Sequence, residues 1–217
     1  MDIPFTTEQF LDIFRDYNQA VFPLQFIAYL LAMLVVYFLW RPSPAGNRFI
    51  SAVLAVYWLG MGAGYHLQWF SSINNAAYLF GIAFILQGLW FLSTGLLSNK
   101  LRFSGTGHSH CLIGWLFILY AMLLYPLLNS LMGHHYPAMP VFGLAPCPTT
   151  IFTFGVLLLA RSRIPMHGLI IPLLWSLIGV SAAINLGIWE DIGLVIAGLT
   201  GTILIIHSNH HHMAESQ

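Results

Sequence analysis

Charge is what this sequence has least of. Of its 217 residues only 6% are Asp, Glu, Lys or Arg, while 58% are hydrophobic. A soluble domain carries about 25% charged residues to clothe itself in water, so a soluble fold is disfavoured. The charges are also badly spread: none occurs in 17–40, 49–99, 103–160, 164–189 or 192–214. The lone lysine, Lys100, falls between apolar runs, so no Schiff-base lysine sits in a span. No acid or base lies in the middle of a run, where ion-coupled carriers need one. There is no P-loop, no Gly-x-Ser-x-Gly elbow and no Cys-x-x-Cys pair among the two cysteines. A net charge of zero leaves no basic footprint for nucleic acid.

What the sequence does have is apolar runs of membrane length. A bilayer core takes about 20 residues of helix, and a helix satisfies its own backbone polar groups in lipid. Turn and charge signals divide the runs into seven, at 20–39, 49–69, 76–97, 111–131, 148–160, 167–186 and 192–206. The expected fold is therefore an all-α, polytopic bundle of about seven transmembrane helices over 20–206. Residues 1–19 carry three Asp and one Glu ahead of any apolar run, and lack the basic start of a signal peptide. Thr6 and Gln9 have the spacing of a capping box, and Phe10, Ile13, Phe14 and Tyr17 share one helical face. This segment is expected to be an interfacial amphipathic helix lying on the membrane surface. Residues 207–217, with His207, His210, His211 and His212, are read as a His-rich tail.

The loops sort the charges. Arg41, Arg48, Lys100, Arg102, Arg161 and Arg163 fall on the side of the C-terminus, six of the seven basic residues. The positive-inside rule makes that side cytoplasmic, in the inner membrane of a bacterium, with the N-terminus outside. Cys111 and Cys147 then lie about 30 Å apart on opposite faces, too far for a disulfide.

With this map, polar residues converge on the outer leaflet: His66, Asn74, His134, Cys147, Thr149, Thr150, Glu190 and Asp191. The fifth run is 13 residues from Pro148 to Ala160, about 20 Å of helix, too short to cross alone. The segment Val141 to Cys147 must therefore dip below the outer surface, or the bilayer must thin locally. Pro148 suits a first helical position, placing Cys147 and the hydroxyls of Thr149 and Thr150 at a helix N-terminus. Broken helices of this kind mark binding sites in membranes. Glu190 and Asp191 read equally as ligands or as a solvated helix start. Gln87, deep in the third run, reads as a ligand contact or as interhelical glue, and Gly60-Met-Gly-Ala-Gly64 as a close-packing face.

The block Pro146-Cys-Pro-Thr-Thr-Ile-Phe-Thr-Phe-Gly155, with Gly64-Tyr-His66, Gln87, Gly133-His134 and Tyr136-Pro137, resembles an uncharacterised bacterial multi-pass membrane family. The resemblance runs through Glu190-Asp191 and implies no activity.

Three functions follow as expectations. The first is a non-enzymatic binding or transport-accessory protein. It holds a small ligand in an outer cup, and the candidate soft metal ion (Zn, Cu or Hg) has His66, His134 and Cys147 as ligands. The second is a membrane enzyme using the same cup. The third is a structural subunit with a membrane-protein partner. The lipid bilayer is a partner in all three.

Overall fold

A computed structural model of the protein describes residues 4–106 and 110–214. The described residues form eight helices and no sheet, with one isolated bridge between Phe103 and Ala160. They are α1 (Thr7–Ala20), α2 (Leu24–Trp40), α3 (Pro44–Ser72), α4 (Ala77–Leu97), α5 (Cys111–Leu131), α6 (Pro146–Leu158), α7 (His167–Leu186) and α8 (Ile192–Ala214).

Five helices are long and apolar enough to cross a membrane: α3, α4, α5, α7 and α8 with the turn before it. A sixth arises if α1 and α2, which meet at 85°, count as one bent span. The other two helices of the expected seven fall short. Helix α2 has 17 residues because the corner at Val21 to Pro23 removes its first turn. Helix α6 has 13 and begins at Pro146. Helix α3 begins five residues before the expected Phe49. Ser43 accepts from the Gly46 amide at 3.0 Å and Pro44 occupies the first turn, a start that needs no apolar residue.

Helix α1 carries the capping box read from Thr6 and Gln9: Thr6 Oγ1 accepts from the Gln9 amide (3.2 Å), and Gln9 Oε1 from the Thr6 amide (2.9 Å). Its aromatic face does not lie open for lipid. Phe10, Phe14 and Tyr17 are buried against Tyr65 and Phe70 of α3. Thr7 Oγ1 also donates to the Leu186 carbonyl at the end of α7 (3.2 Å). Asn18 fastens the other end, donating to the carbonyls of Pro137 (2.7 Å) and Met139 (2.8 Å).

Helix α6 is the centre of the bundle. Every residue from Pro148 to Leu158 is buried, as expected of a helix apolar on all sides. Its Gly155 faces Gly114 of α5, and a Cβ on either would come within 2.8 or 2.9 Å of the other's carbonyl oxygen. Thr153 accepts from the Trp58 indole of α3 at 3.0 Å. In the 60–64 glycine stretch, Gly62 alone makes a close approach, to the Gly81 backbone of α4, while Gly60 faces open space.

The two ends of the bundle differ in charge. The loops holding Arg102 and Arg161 pair through a 2.7 Å backbone bond, and Asn47 accepts from the Phe103 amide beside them at 2.9 Å. Glu190 and Asp191 lie at the other end. Helix α8 runs on to Ala214, so the residues read as a tail from 207 are helical as far as they are described. Asn209 is buried there and bonds both backbone groups of Ile164, at 3.0 and 2.7 Å.

Candidate functional site

The acidic end is built around a short turn. Helix α7 ends at Gly187, whose φ of 71° is the left-handed cap that glycine adopts without strain. The chain then folds through a single 3-10 turn, Trp189–Asp191, which carries both carboxylates inward. Glu190 and Asp191 are 1% and 2% exposed, so the solvated helix start read from the sequence is overturned. Tyr125 donates to Asp191 Oδ1 at 2.6 Å. His134 Nδ1 lies 3.0 Å from Glu190 Oε1, and Tyr120 donates to the Glu190 carbonyl at 2.7 Å. Glu190 Oε2 has no hydrogen-bond partner among the described residues.

Two irregular turns aim these aromatics. Helix α5 is π-helical over Tyr120–Leu124 and α3 over Met61–Trp69. Such insertions rotate the following side chains relative to a regular helix and recur at functional sites. In α3 the π segment turns His66 inward, fully buried, with rings of Phe84 at 4.6 Å, Trp175 at 5.1 Å and Tyr65 at 5.2 Å. Neither ring nitrogen of His66 has a partner among the described residues.

Cys147 occupies the first turn of α6, with its thiol beside the Asp191 carboxyl and the Trp175 indole. The Trp175 indole nitrogen is nevertheless without a hydrogen-bond partner, so this is proximity rather than a bond. The segment upstream packs into the bundle: Val141, Phe142 and Ala145 are buried. Thr149 closes it, accepting from the Gly143 amide (2.9 Å) and donating to the Ala145 carbonyl (2.7 Å). Its role is to hold the loop. The Thr150 hydroxyl is buried without a partner among the described residues.

Between α1, α3, α4, the start of α6 and α7 lies a cavity of about 350 Å³. Its wall is aromatic: Phe10 and Phe14 from α1, Tyr65 and Phe70 from α3, Phe80 from α4, Trp175 from α7. Ser181, Asn185, Asn74, Cys147 and Asp191 supply its polar groups.

Of the residues expected from the sequence, Asn74, Cys147 and Asp191 line this cavity. His66 stands behind its wall, against Tyr65, Phe70, Phe80 and Trp175. Glu190 and His134 pair next to Asp191, away from the cavity surface. Gln87 is apart from the site, donating to the Gly168 carbonyl of α7 at 3.1 Å, the interhelical role. The metal set is not brought together. Among the described residues no group of three or more His, Cys, Asp or Glu side chains is placed to hold a metal ion. The reason is directional: His66 faces α4 and α7, while His134 is taken up by Glu190.

Trp175 and Tyr125 were missed, since an aromatic residue in an apolar run carries no signal of its own. The face of α1 was visible, but not the surface it covers.

No curated protein and no solved structure matches the chain. Residues 7–216 match a family of unknown function, and the chain belongs to that family, DUF6064.

Proposed function

We propose that this is a multi-pass protein of the bacterial inner membrane that binds a small organic molecule in the aromatic cavity, in a binding or transport-accessory role. Five helices of crossing length support the membrane placement. The gathering of Arg102 and Arg161 at the end opposite Glu190 and Asp191 supports a cytoplasmic basic end by the positive-inside rule. The cavity then opens on the outer side, as does the N-terminus.

The cavity itself carries the functional reading. At about 350 Å³ it falls within the range of small-molecule sites, which are mostly apolar with a few placed polar groups. A hydrophobic cluster meant only for packing would close such a space, because each unfilled volume costs stability. An organic ligand is favoured over a soft metal ion, since the aromatic wall offers few donors and the three expected metal ligands do not converge.

The test is native mass spectrometry of the full chain released from mild detergent, beside Ser181→Trp. Ser181 is exposed at the cavity wall, so an indole there fills the space without disturbing the core. A small molecule retained by the parent protein and lost from the variant is the expected result. Equal retention by both, or none by either after expression in the native host, overturns the reading.

A further inference from the structure

The geometry points to a small organic cation, with an aromatic or alkyl body, as the ligand of this cavity. The inference rests on the reading that the cavity is a ligand site and adds the charge of its occupant.

Two independent features carry it. The first is the wall. Tyr65 stacks between Phe14 (centroids 5.0 Å, planes 11° apart) and Phe70 (5.6 Å, 12°). Across the space, Phe80 and Trp175 meet edge to face at 5.4 Å. Indole and phenyl faces carry negative quadrupoles, and groups of such rings hold ammonium ions; with the Tyr65 faces taken by Phe14 and Phe70, the rings left to serve are the outer two of the stack with Phe80 and Trp175.

The second feature is the charge. Among the described residues Asp191 is the one acid on the wall, and no Lys, Arg or His lines it. Basic side chains near this end have other partners: His134 faces Glu190, His135 lies 3.3 Å from the Ser130 hydroxyl, and Arg15 on α1 pairs with Asp12. Asp191 is thus a buried carboxyl whose side chain has a neutral hydrogen-bond partner, the Tyr125 hydroxyl, and no basic one among the described residues. A buried carboxylate is costly unless an opposite charge sits beside it. A cationic ligand supplies that charge, a neutral ligand does not, and an anion worsens the balance.

Size narrows the class further. A cavity of about 350 Å³ takes a small cation rather than a whole lipid, and the single carboxyl on its described wall suits one charge rather than the several of a polyamine.

The test uses the full chain in lipid nanodiscs and two probes of one shape, phenyltrimethylammonium and its neutral carbon isostere tert-butylbenzene. Affinities are read by equilibrium dialysis against protein-free nanodiscs. The parent protein is expected to prefer the cation. Asp191→Asn keeps the side-chain size and weakens the cation by about thirtyfold or more, as for loss of one partner of a buried charge pair, leaving the neutral probe unmoved. Phe80→Leu is the second variant, needed should Asp191→Asn fail to fold. It keeps an apolar wall, removes one ring face, and weakens the cation about threefold or more. Equal binding of both probes, unchanged in the variants, overturns the cation assignment and leaves the cavity a ligand site. Binding of neither probe also overturns it, while failure of the underlying reading shows separately, as no retained molecule by mass spectrometry.

Discussion

Removing His134 leaves Glu190 with no group to answer its charge. The Glu190 side chain is fully buried, the His134 side chain is 16% exposed, and 3.0 Å separates them. Glu190 Oε2 already lacks a partner among the described residues, so His134→Ala strips the other oxygen as well. Breaking a buried pair by deleting one member costs about 3–5 kcal/mol. Partial access of water to the His134 side lowers that to about 2–3 kcal/mol, between the buried and exposed limits. Glu190→Gln removes the charge and keeps an acceptor for the imidazole, so it costs about 1 kcal/mol, one ordinary hydrogen bond. The double variant His134→Ala/Glu190→Gln no longer buries an unanswered carboxylate. Its total cost should fall below the sum of the single costs by at least about 1 kcal/mol, well outside the ~0.5 kcal/mol expected of independent sites. The assay is reversible unfolding in mixed micelles, followed by the far-ultraviolet helical signal. Strict additivity of the two changes refutes the pairing as an energetic unit.

Three further outcomes follow from the packing. Thr153→Val removes the acceptor of the fully buried Trp58 indole and should destabilise by about 1–3 kcal/mol, the cost of an orphaned buried donor, measurable in the same titration. Gly155→Ala drives a Cβ to 2.8 Å from the Gly114 carbonyl oxygen and should cost about 1–3 kcal/mol by overpacking. Gly60→Ala, with nothing within 4 Å of the new atom, should be neutral or slightly stabilising. For orientation, a single cysteine in place of Asn75, in a chain otherwise lacking Cys, should react in intact cells with a membrane-impermeant maleimide. One in place of Ser98 should react only after lysis, and the reverse pattern would invert the proposed orientation.

How much of this was readable in the sequence differs from element to element for physical reasons. The apolar runs located most helices because the cost of burying charge is steep and local. The burial of the segment ahead of α6 was readable too. Thirteen residues between Pro148 and Ala160 cannot cross a membrane, so the segment before them had to turn inward or the bilayer to thin, and Val141, Phe142 and Ala145 are buried there. The aromatic face of α1 was equally plain, but amphipathicity gives a helix a face without saying what it meets. Lipid and the rings of Tyr65 and Phe70 are alike in apolarity, and only tertiary structure chooses between them. The burial of Glu190 and Asp191 was illegible for a different reason. Acids ahead of a helix are as favourable in water as they are beside Tyr125 and His134, and these two partners lie 66 and 56 residues away in the chain.

The metal expectation and the cavity separate on the same ground. Depth in the membrane placed His66, His134 and Cys147 in one layer, but a shared layer leaves rotation about each helix axis undetermined. The π segment Met61–Trp69 settles that rotation for His66, turning it to Phe84 and Trp175. The rings around it then close one side of the cavity while α1 closes another. This gives α1 a second consequence. Two of its aromatic contacts with α3, Phe10 on Phe70 and Phe14 on Tyr65, join residues that are also the cavity wall. Any movement of α1 away from α3 therefore opens the cavity and dismantles its aromatic surface together. For a ligand in the proposed site, access and affinity would thus be coupled through the docking of α1, held at the Thr7 end by a hydrogen bond to the Leu186 carbonyl and at the Asn18 end by bonds to Pro137 and Met139.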